Sequence, residues 1–286
     1  MKWRRSLEVD LRAALLENEF VLYYQPIPAL ETGIIAGCEA LLRWRHPQRG
    51  MVLPAEFVPV AEETGLINSI GEWVLKQACS DATAWPSSVR VAVNVSPAQF
   101  RNTALPLVVV GALAESGLPT QRLELEITES VLMQNNESSL LMLHQLHELG
   151  VRIALDDFGT GYSSLSYLRS FPFDRIKIDR SFVADLLDGN EAVAIVHAIL
   201  SLASSLKMQT TAEGSKRPYA KAPEGRRMRR DAGISVQSTA AGKRYRRAHP
   251  AAARLGCRRR IVCRPRRRPR LLRKSRAPPQ CVLNTL

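Results

Sequence analysis

The strongest constraint on this chain is where polar residues fall along its apolar segments. Seven short stretches read as strands: Val21–Ile27, Ile34–Leu42, Arg90–Val95, Arg122–Thr128, Arg152–Asp157, Arg175–Asp179 and Met208–Glu213. They are short, apolar and often β-branched, as strands buried on both faces should be. Between them lie stretches with helical spacing: Ser6–Glu17, Pro54–Thr64, Asn68–Trp85, Leu105–Ser116, Ser138–Leu149, Tyr162–Arg169 and Asn190–Leu206. In the first, Leu7, Leu11, Ala14 and Leu15 share one face, while Pro54 opens the second and Gly65 ends it. A βαβα alternation predicts a largely parallel sheet. Seven such strands in so short a span predict a (β/α) barrel rather than an open sheet.

In a (β/α) barrel the active site lies at the C-terminal ends of the strands. Asn94, Glu126, Asp156 with Asp157, Lys177 and Glu213 all stand at such ends. The steps from Asn94 to Glu126, on to Asp156, from Asp157 to Lys177 and on to Glu213 are 32, 30, 20 and 36 residues, one βα unit each. Glu39, on the second strand, adds a fifth carboxylate to the same rim. Two like charges 4 Å apart repel by roughly 4 kcal/mol at an effective dielectric of about 20, so either some acids are protonated or cations sit among them. Oxygen ligands without His or Cys select hard ions, Mg²⁺ or Mn²⁺. The number of ligands suits two ions, and a pair about 3.5–4 Å apart suits phosphodiester cleavage. Lys177 would supply a compact positive charge beside the attacking water. Taken singly, each position also reads as a solvated loop residue or a surface charge. What distinguishes them is the shared placement, and above all the adjacent acids before a Gly-rich turn in ALDDFGTGYSS.

Charge divides the chain in two. Residues 1–214 carry 17 Lys+Arg against 25 Asp+Glu, net −8, whereas residues 215–286 carry 23 against 2, net +21. No run of about 18 apolar residues exists, which excludes a helical membrane span. The N-terminus MKWRRSLEVDLRAALLE lacks the apolar core of a secretory signal. The five cysteines, Cys38, Cys79, Cys257, Cys263 and Cys281, are odd in number and form no CxxC pair. Reduced thiols and a cytoplasmic setting are expected, with neither a zinc site nor a disulfide framework.

A set of longer motifs carries a resemblance. The chain reads YYQPI at Tyr23–Ile27, Glu39-Ala40-Leu41-Leu42-Arg43 followed by RWRHP, AVNVSPAQF at Ala92–Phe100 and LELEITES at Leu123–Ser130. It continues with IALDDFGTGYSSLSYL at Ile153–Leu168, RIKIDRSFV at Arg175–Val183 and TAEG at Thr211–Gly214. In order and spacing these resemble the EAL domain, the cyclic di-GMP phosphodiesterase family of bacteria, over roughly residues 6–214, with residues 1–5 as a lead-in. The first residues also resemble the linker that often follows a diguanylate-cyclase-like domain. The resemblance implies an α/β fold, a modified TIM barrel whose first strand is antiparallel to the rest. It implies that Glu39, Asn94, Glu126 and Asp156 hold one divalent cation. Asp156, Asp157 and Glu213 would hold a second, Mg²⁺ or Mn²⁺ in each case, with Asp156 bridging. It further implies that Lys177 positions the attacking water, Arg43 holds a substrate phosphate, Gln25 touches substrate, and Glu129 braces a loop at the mouth. The implied reaction is hydrolysis of one phosphodiester of cyclic di-GMP to linear pGpG by a cyclic-guanylate-specific phosphodiesterase, with no covalent intermediate. Members commonly form homodimers.

After Gly214 the resemblance stops. The family continues EGVE; this chain reads Glu213-Gly214-Ser215-Lys216 and turns Arg-, Pro- and Ala-rich, as in CRRRIVCRPRRRPRLLRK. No strand or helix period is evident there. One permitted set of codons for Arg227–Ala241, read one base later, spells GCDAMQGYLFSRPLP, which resembles the family's missing segment. A frameshift between about Gly214 and Arg227 is therefore expected, in the genome or in its sequencing. The last strand and helix of the barrel would then be absent and residues 215–286 would form a disordered basic tail. Without its eighth strand a barrel cannot close. Losing buried side chains at about 2–5 kcal/mol each approaches a total stability of roughly 5–15 kcal/mol. Such a chain is expected to fold poorly and hydrolyse little. Two other classes stand beside this one: a non-catalytic cyclic di-GMP-binding protein, against which the intact ligand set argues, and non-specific phosphate binding by the basic tail. No specific nucleic-acid motif is present.

Overall fold

The computed structural model describes residues 2–29, 32–134, 136–159, 168, 171–179, 181–182, 190–214, 234–238 and 261–262. Its strands are β1 (Phe20–Pro28), β2 (Ile35–His46), β3 (Gly50–Val52), β4 (Arg90–Asn94), β5 (Leu123–Thr128), β6 (Arg152–Phe158), β7 (Arg175–Ile178), β8 (Gln209–Gly214), β9 (Ile234–Ser238) and β10 (Ile261–Val262). Its helices are α1 (Lys2–Leu16), α2 (Pro54–Glu63), α3 (Ile67–Ala82), α4 (Leu105–Ser116), α5 (Glu129–Gln134), α6 (Asn136–Glu148) and α7 (Asn190–Ser205). One curled sheet runs in the order β10-β1-β2-β4-β5-β6-β7-β8-β9, with β3 folded back on the end of β2. β1 is antiparallel to β2, from Phe20↔Trp44 to Pro28↔Ile35. From β2 through β4 to β9 every neighbouring pair is parallel. This is the modified barrel the motifs imply, with its first strand reversed.

The alternation along the strands explains the curl. In β5, Leu123, Leu125 and Ile127 are fully buried and belong to the continuous apolar core, as do Val91 and Val93 of β4 and Ile153 and Leu155 of β6. The intervening residues Glu124 and Glu126 are buried as well. These strands were expected to be apolar on both faces; instead, one face meets the helices and the other lines a charged barrel interior. The apolar face decides the fold, since burying each such aliphatic side chain is worth about 1.5–3 kcal/mol. Around β1 and β2 it becomes aromatic: Phe20 stacks near Trp44, Phe57 and Trp73 at centroid distances of 6.0, 5.8 and 6.0 Å. Helix α4 ends at Gly117, whose φ of 73° gives the left-handed turn that returns the Gly117 amide to the Leu113 carbonyl.

Each strand predicted from the sequence is present. The three-residue β3 and the six-residue α5 are too short to show a period. The predicted helix Tyr162–Arg169 lies, except for Leu168, outside the described residues. The barrel is truncated as expected, and the edge of β8 is taken by part of the basic segment. β9 pairs in parallel from Thr210↔Ile234 to Gly214↔Ser238. β10 pairs with Tyr23 and Tyr24 of β1. An open edge presents unpaired N–H and C=O groups to any extended backbone, and β-branched Ile234 and Val236 favour that state. The rest of residues 215–286 lies outside the described residues. Among the described residues no helix is long and apolar enough to cross a membrane.

Candidate active site

The parallel register lines up the predicted residues at one mouth. Asn94 pairs with Glu126, Thr128 with Asp156, and Lys177 with Thr211. Asn94 Nδ2 donates to Glu39 Oε1 at 2.8 Å. Lys177 Nζ donates to Glu126 Oε2 and Asp156 Oδ2, both at 2.8 Å, and lies 3.9 Å from Glu39 Oε2. Glu126 and Lys177 are each 1% exposed, so this is an interior ionic cluster and not a surface pair. Five of the sequence-predicted residues, Glu39, Asn94, Glu126, Asp156 and Lys177, thus come together. The structure gives Glu213 by its backbone, at the C-terminal end of β8 in register with Gln237 of β9.

The remaining candidates frame this cluster. Asp157 has a φ of 53°, a left-handed conformation that non-glycine residues seldom hold except under local constraint. Its amide donates to Asp156 Oδ1 at 2.9 Å. Burial pushes the Asp157 carboxyl pKa up, and the nearby acids Asp156 and Asp179 add to the rise. Glu129, at the start of α5, accepts the Gly159 amide through Oε1 at 2.9 Å and so joins the segments that follow β5 and β6. Gln25 stands opposite Glu39 in the β1–β2 ladder. Arg43 lies four residues further along β2, opposite Val21, its guanidinium 6.0 Å from the Tyr23 ring centre and donating to the Leu42 carbonyl at 2.7 Å.

The mouth carries more acid than base: three carboxylates, Glu39, Glu126 and Asp156, face one ammonium. Burial raises the Glu126 pKa well above the usual glutamate value, Lys177 opposes the rise, and Glu39 and Asp156 reinforce it. Glu126 Oε1 is buried with no hydrogen-bond partner among the described residues. A buried orphan oxygen is costly unless a proton or cation meets it. Among the described residues no three His, Cys, Asp or Glu side chains already converge at ligand distance; the acids converge on the Lys177 ammonium instead. The donor chemistry, all oxygen with a surplus of negative charge, nevertheless fits a hard divalent cation.

The sequence reading missed a second tier beneath this one. Glu124 is paired by Arg175 at 3.3 Å and by Arg152 at 3.4 Å, and Arg152 reaches Asp174 at 3.4 Å. The signal was available: Glu124 precedes Glu126, and Arg175 precedes Lys177, by the two-residue step that returns a strand to the same face. A second omission is Glu62 of α2, which accepts from Ser96 Oγ at 2.5 Å and anchors the turn after Asn94.

Comparisons with known proteins bear on the family and the fold. The chain matches the EAL domain family over residues 8–219. It is 54% identical over 217 residues to the uncharacterized protein y4lL of Sinorhizobium fredii, covering 76% of this chain and 26% of that protein. It is 46% identical over 209 residues to the bifunctional diguanylate cyclase/cyclic di-GMP phosphodiesterase MucR of Pseudomonas aeruginosa, covering 72% and 30%. The chain therefore spans less than a third of the length of these two relatives. Among solved structures, the MucR phosphodiesterase in complex with c-di-GMP is 44% identical with a TM-score of 0.71, covering 74% of this chain and 87% of that one. With the motifs in order, the reversed first strand and the acids gathered at one mouth, the chain belongs to the EAL domain family.

Proposed function

We propose that this chain binds cyclic di-GMP at the C-terminal mouth of its barrel and hydrolyses one phosphodiester to linear pGpG with the help of two divalent cations. The observation that carries the reading is the buried Glu39–Glu126–Asp156–Lys177 cluster with its surplus acid and its orphan Glu126 oxygen. Relatives named as cyclic di-GMP phosphodiesterases support the choice of substrate.

Glu39, Asn94, Glu126 and Asp156 would hold one cation, and Asp156, Asp157 and Glu213 the other. Bound there, Mg²⁺ or Mn²⁺ supplies Lewis-acid polarisation of a phosphoryl oxygen and lowers the pKa of water. The chain's own groups do the rest. Lys177, fixed between Glu126 and Asp156, is a donor that orients the nucleophilic water and offsets charge growing on the phosphate. Arg43 presents a planar guanidinium, suited to a phosphodiester oxygen. Gln25 contributes an amide to the nucleotide. Glu129 holds the Gly159 amide and keeps the segment after the paired aspartates in place.

Turnover of this chain should be low. The family's last strand and helix are missing from the sequence, and a short piece of the basic segment takes the edge of β8. A frameshift near Gly214 accounts for both the lost segment and the Arg-rich composition; the nucleotide sequence across codons 210–245 tests it. For the activity, the chain is incubated with cyclic di-GMP and Mg²⁺ or Mn²⁺ and the products are separated by chromatography. Slow, metal-dependent release of pGpG is expected, faster once the in-frame segment is restored. Binding without any release in either form would favour a non-catalytic receptor.

A further inference from the structure

Two ionic rungs cross the inside of the barrel, one above the other. Both join β5 to β7 over the top of β6, although these strands are not neighbours in the sheet. The upper rung is Glu126 to Lys177 at 2.8 Å. The lower is Glu124 to Arg175 at 3.3 Å. Ala154 makes the crossing possible, because it stands in register with Glu126 on one side and Arg175 on the other and has no side chain beyond Cβ. Arg175 is 4% exposed and also donates to Thr211 at 3.2 Å and Gln209 at 3.2 Å on β8. Its guanidinium therefore touches β5 and β8 from β7. On these three strands Glu126 and Glu213 stand two residues beyond the Arg175 contacts Glu124 and Thr211, and Lys177 stands two residues beyond Arg175 itself.

We propose that Arg175 is a positioning residue for Lys177: the lower rung sets the spacing of β5, β7 and β8 and so holds the Lys177 ammonium against Glu126 and Asp156. This deepens the functional reading above, which assigns Lys177 its role, but its geometry stands without that reading. The extended guanidinium is what the arrangement uses: its two Nη atoms donate to Thr211 and Gln209 while Nε faces Glu124 as an ion pair without hydrogen-bond geometry, a span one lysine ammonium cannot cover.

The test is the chemical protection of Lys177 in the full chain, without metal or substrate. Amine acylation is followed by mass spectrometry in the native protein, in Arg175→Met and in Arg175→Lys. Exposed Lys207 serves as the reference amine, and labelling of the fully buried Cys79 thiol reports general loosening. Lys177 acylation is expected to rise about tenfold in Arg175→Met, the scale of coupling between residues in one network. A smaller rise is expected in Arg175→Lys, with Cys79 protected as in the native chain. Lys177 protection unchanged in both variants, or lost only in step with Cys79, overturns the proposal. If Arg175→Met does not fold, Arg175→Lys decides by the same two readings. Hydrolysis is measured alongside, with kcat expected to fall and KM to hold. An inactive native chain would count against the functional reading alone, and Lys177 acylation would still decide the rung.

Discussion

The upper and lower tiers of the barrel interior are built from the same kinds of residues on the same strands, yet they are settled differently. Below, Glu124 is matched by two arginines, and Asp174 by Arg152 and the Ile153 amide. Above, Glu39, Glu126 and Asp156 share one lysine; among the described residues an orphan buried atom occurs in each tier, Glu126 Oε1 above and Arg175 Nε below, but only the upper one is an acid oxygen in a surplus of negative charge. The central pair of each tier, Glu124–Arg175 and Glu126–Lys177, is buried, so burial alone does not distinguish them. What distinguishes them is the charge balance: below, two arginines face Glu124, whereas above, three carboxylates face one ammonium, a surplus that the proposed cations would offset. Proteins tolerate such local frustration where function requires it.

The comparison can be broken first through stability. Arg175→Met removes one partner of a buried pair and leaves Glu124 short of charge, a loss expected to cost about 3–5 kcal/mol. Thermal unfolding followed by circular dichroism would read it as a fall in Tm. At the upper tier the matching change acts on chemistry. Lys177→Ala is expected to lower cyclic di-GMP turnover by about 10²–10³-fold, the scale for removing one preorganised donor, measured in the restored-segment form if the chain itself is too slow. Ala154→Leu would place bulk where the rungs cross, and overpacking of this kind costs about 1–3 kcal/mol. Both the Tm and the Lys177 protection should fall together.

Smaller effects sharpen the contrast. Glu126→Gln relieves the surplus charge, so without metal it should gain about 0.5–2 kcal/mol of stability while turnover collapses. Glu124→Gln should lose stability instead, and a gain there would erase the distinction between the tiers. The last effect is a slope. The Glu126 pKa is raised on folding, so between the ordinary glutamate value and that raised value the folded chain holds an extra proton. Metal-free stability should therefore decline as pH rises through this window, by at most about 1.4 kcal/mol per unit for one proton. Denaturant midpoints at several pH values would measure it, and Glu126→Gln or added Mg²⁺ should flatten it.

Much of this was legible in the sequence, because strand ends announce themselves. Asp156–Asp157 ends an apolar run and precedes a Gly-rich turn, and Lys177 and Glu213 repeat the pattern one unit apart. The lower tier was harder to see. Arg152 and Arg175 sit at strand beginnings, where a charged residue usually signals solvent, and only the curl of the sheet turns them toward Glu124. β9 was illegible for another reason. Its apolar/polar alternation, Ile234-Ser235-Val236-Gln237, is too short to stand out in an Arg-rich segment, and its pairing also needs the edge of β8.

Diffraction from crystals of the metal-free chain soaked in Mn²⁺, collected for anomalous scattering, tests the central claim most directly. Two peaks about 3.5–4 Å apart are expected at the C-terminal mouth, one among Glu39, Asn94, Glu126 and Asp156 and one reached by Asp157 and Glu213. No peak there in a crystal that takes up manganese elsewhere would contradict the account.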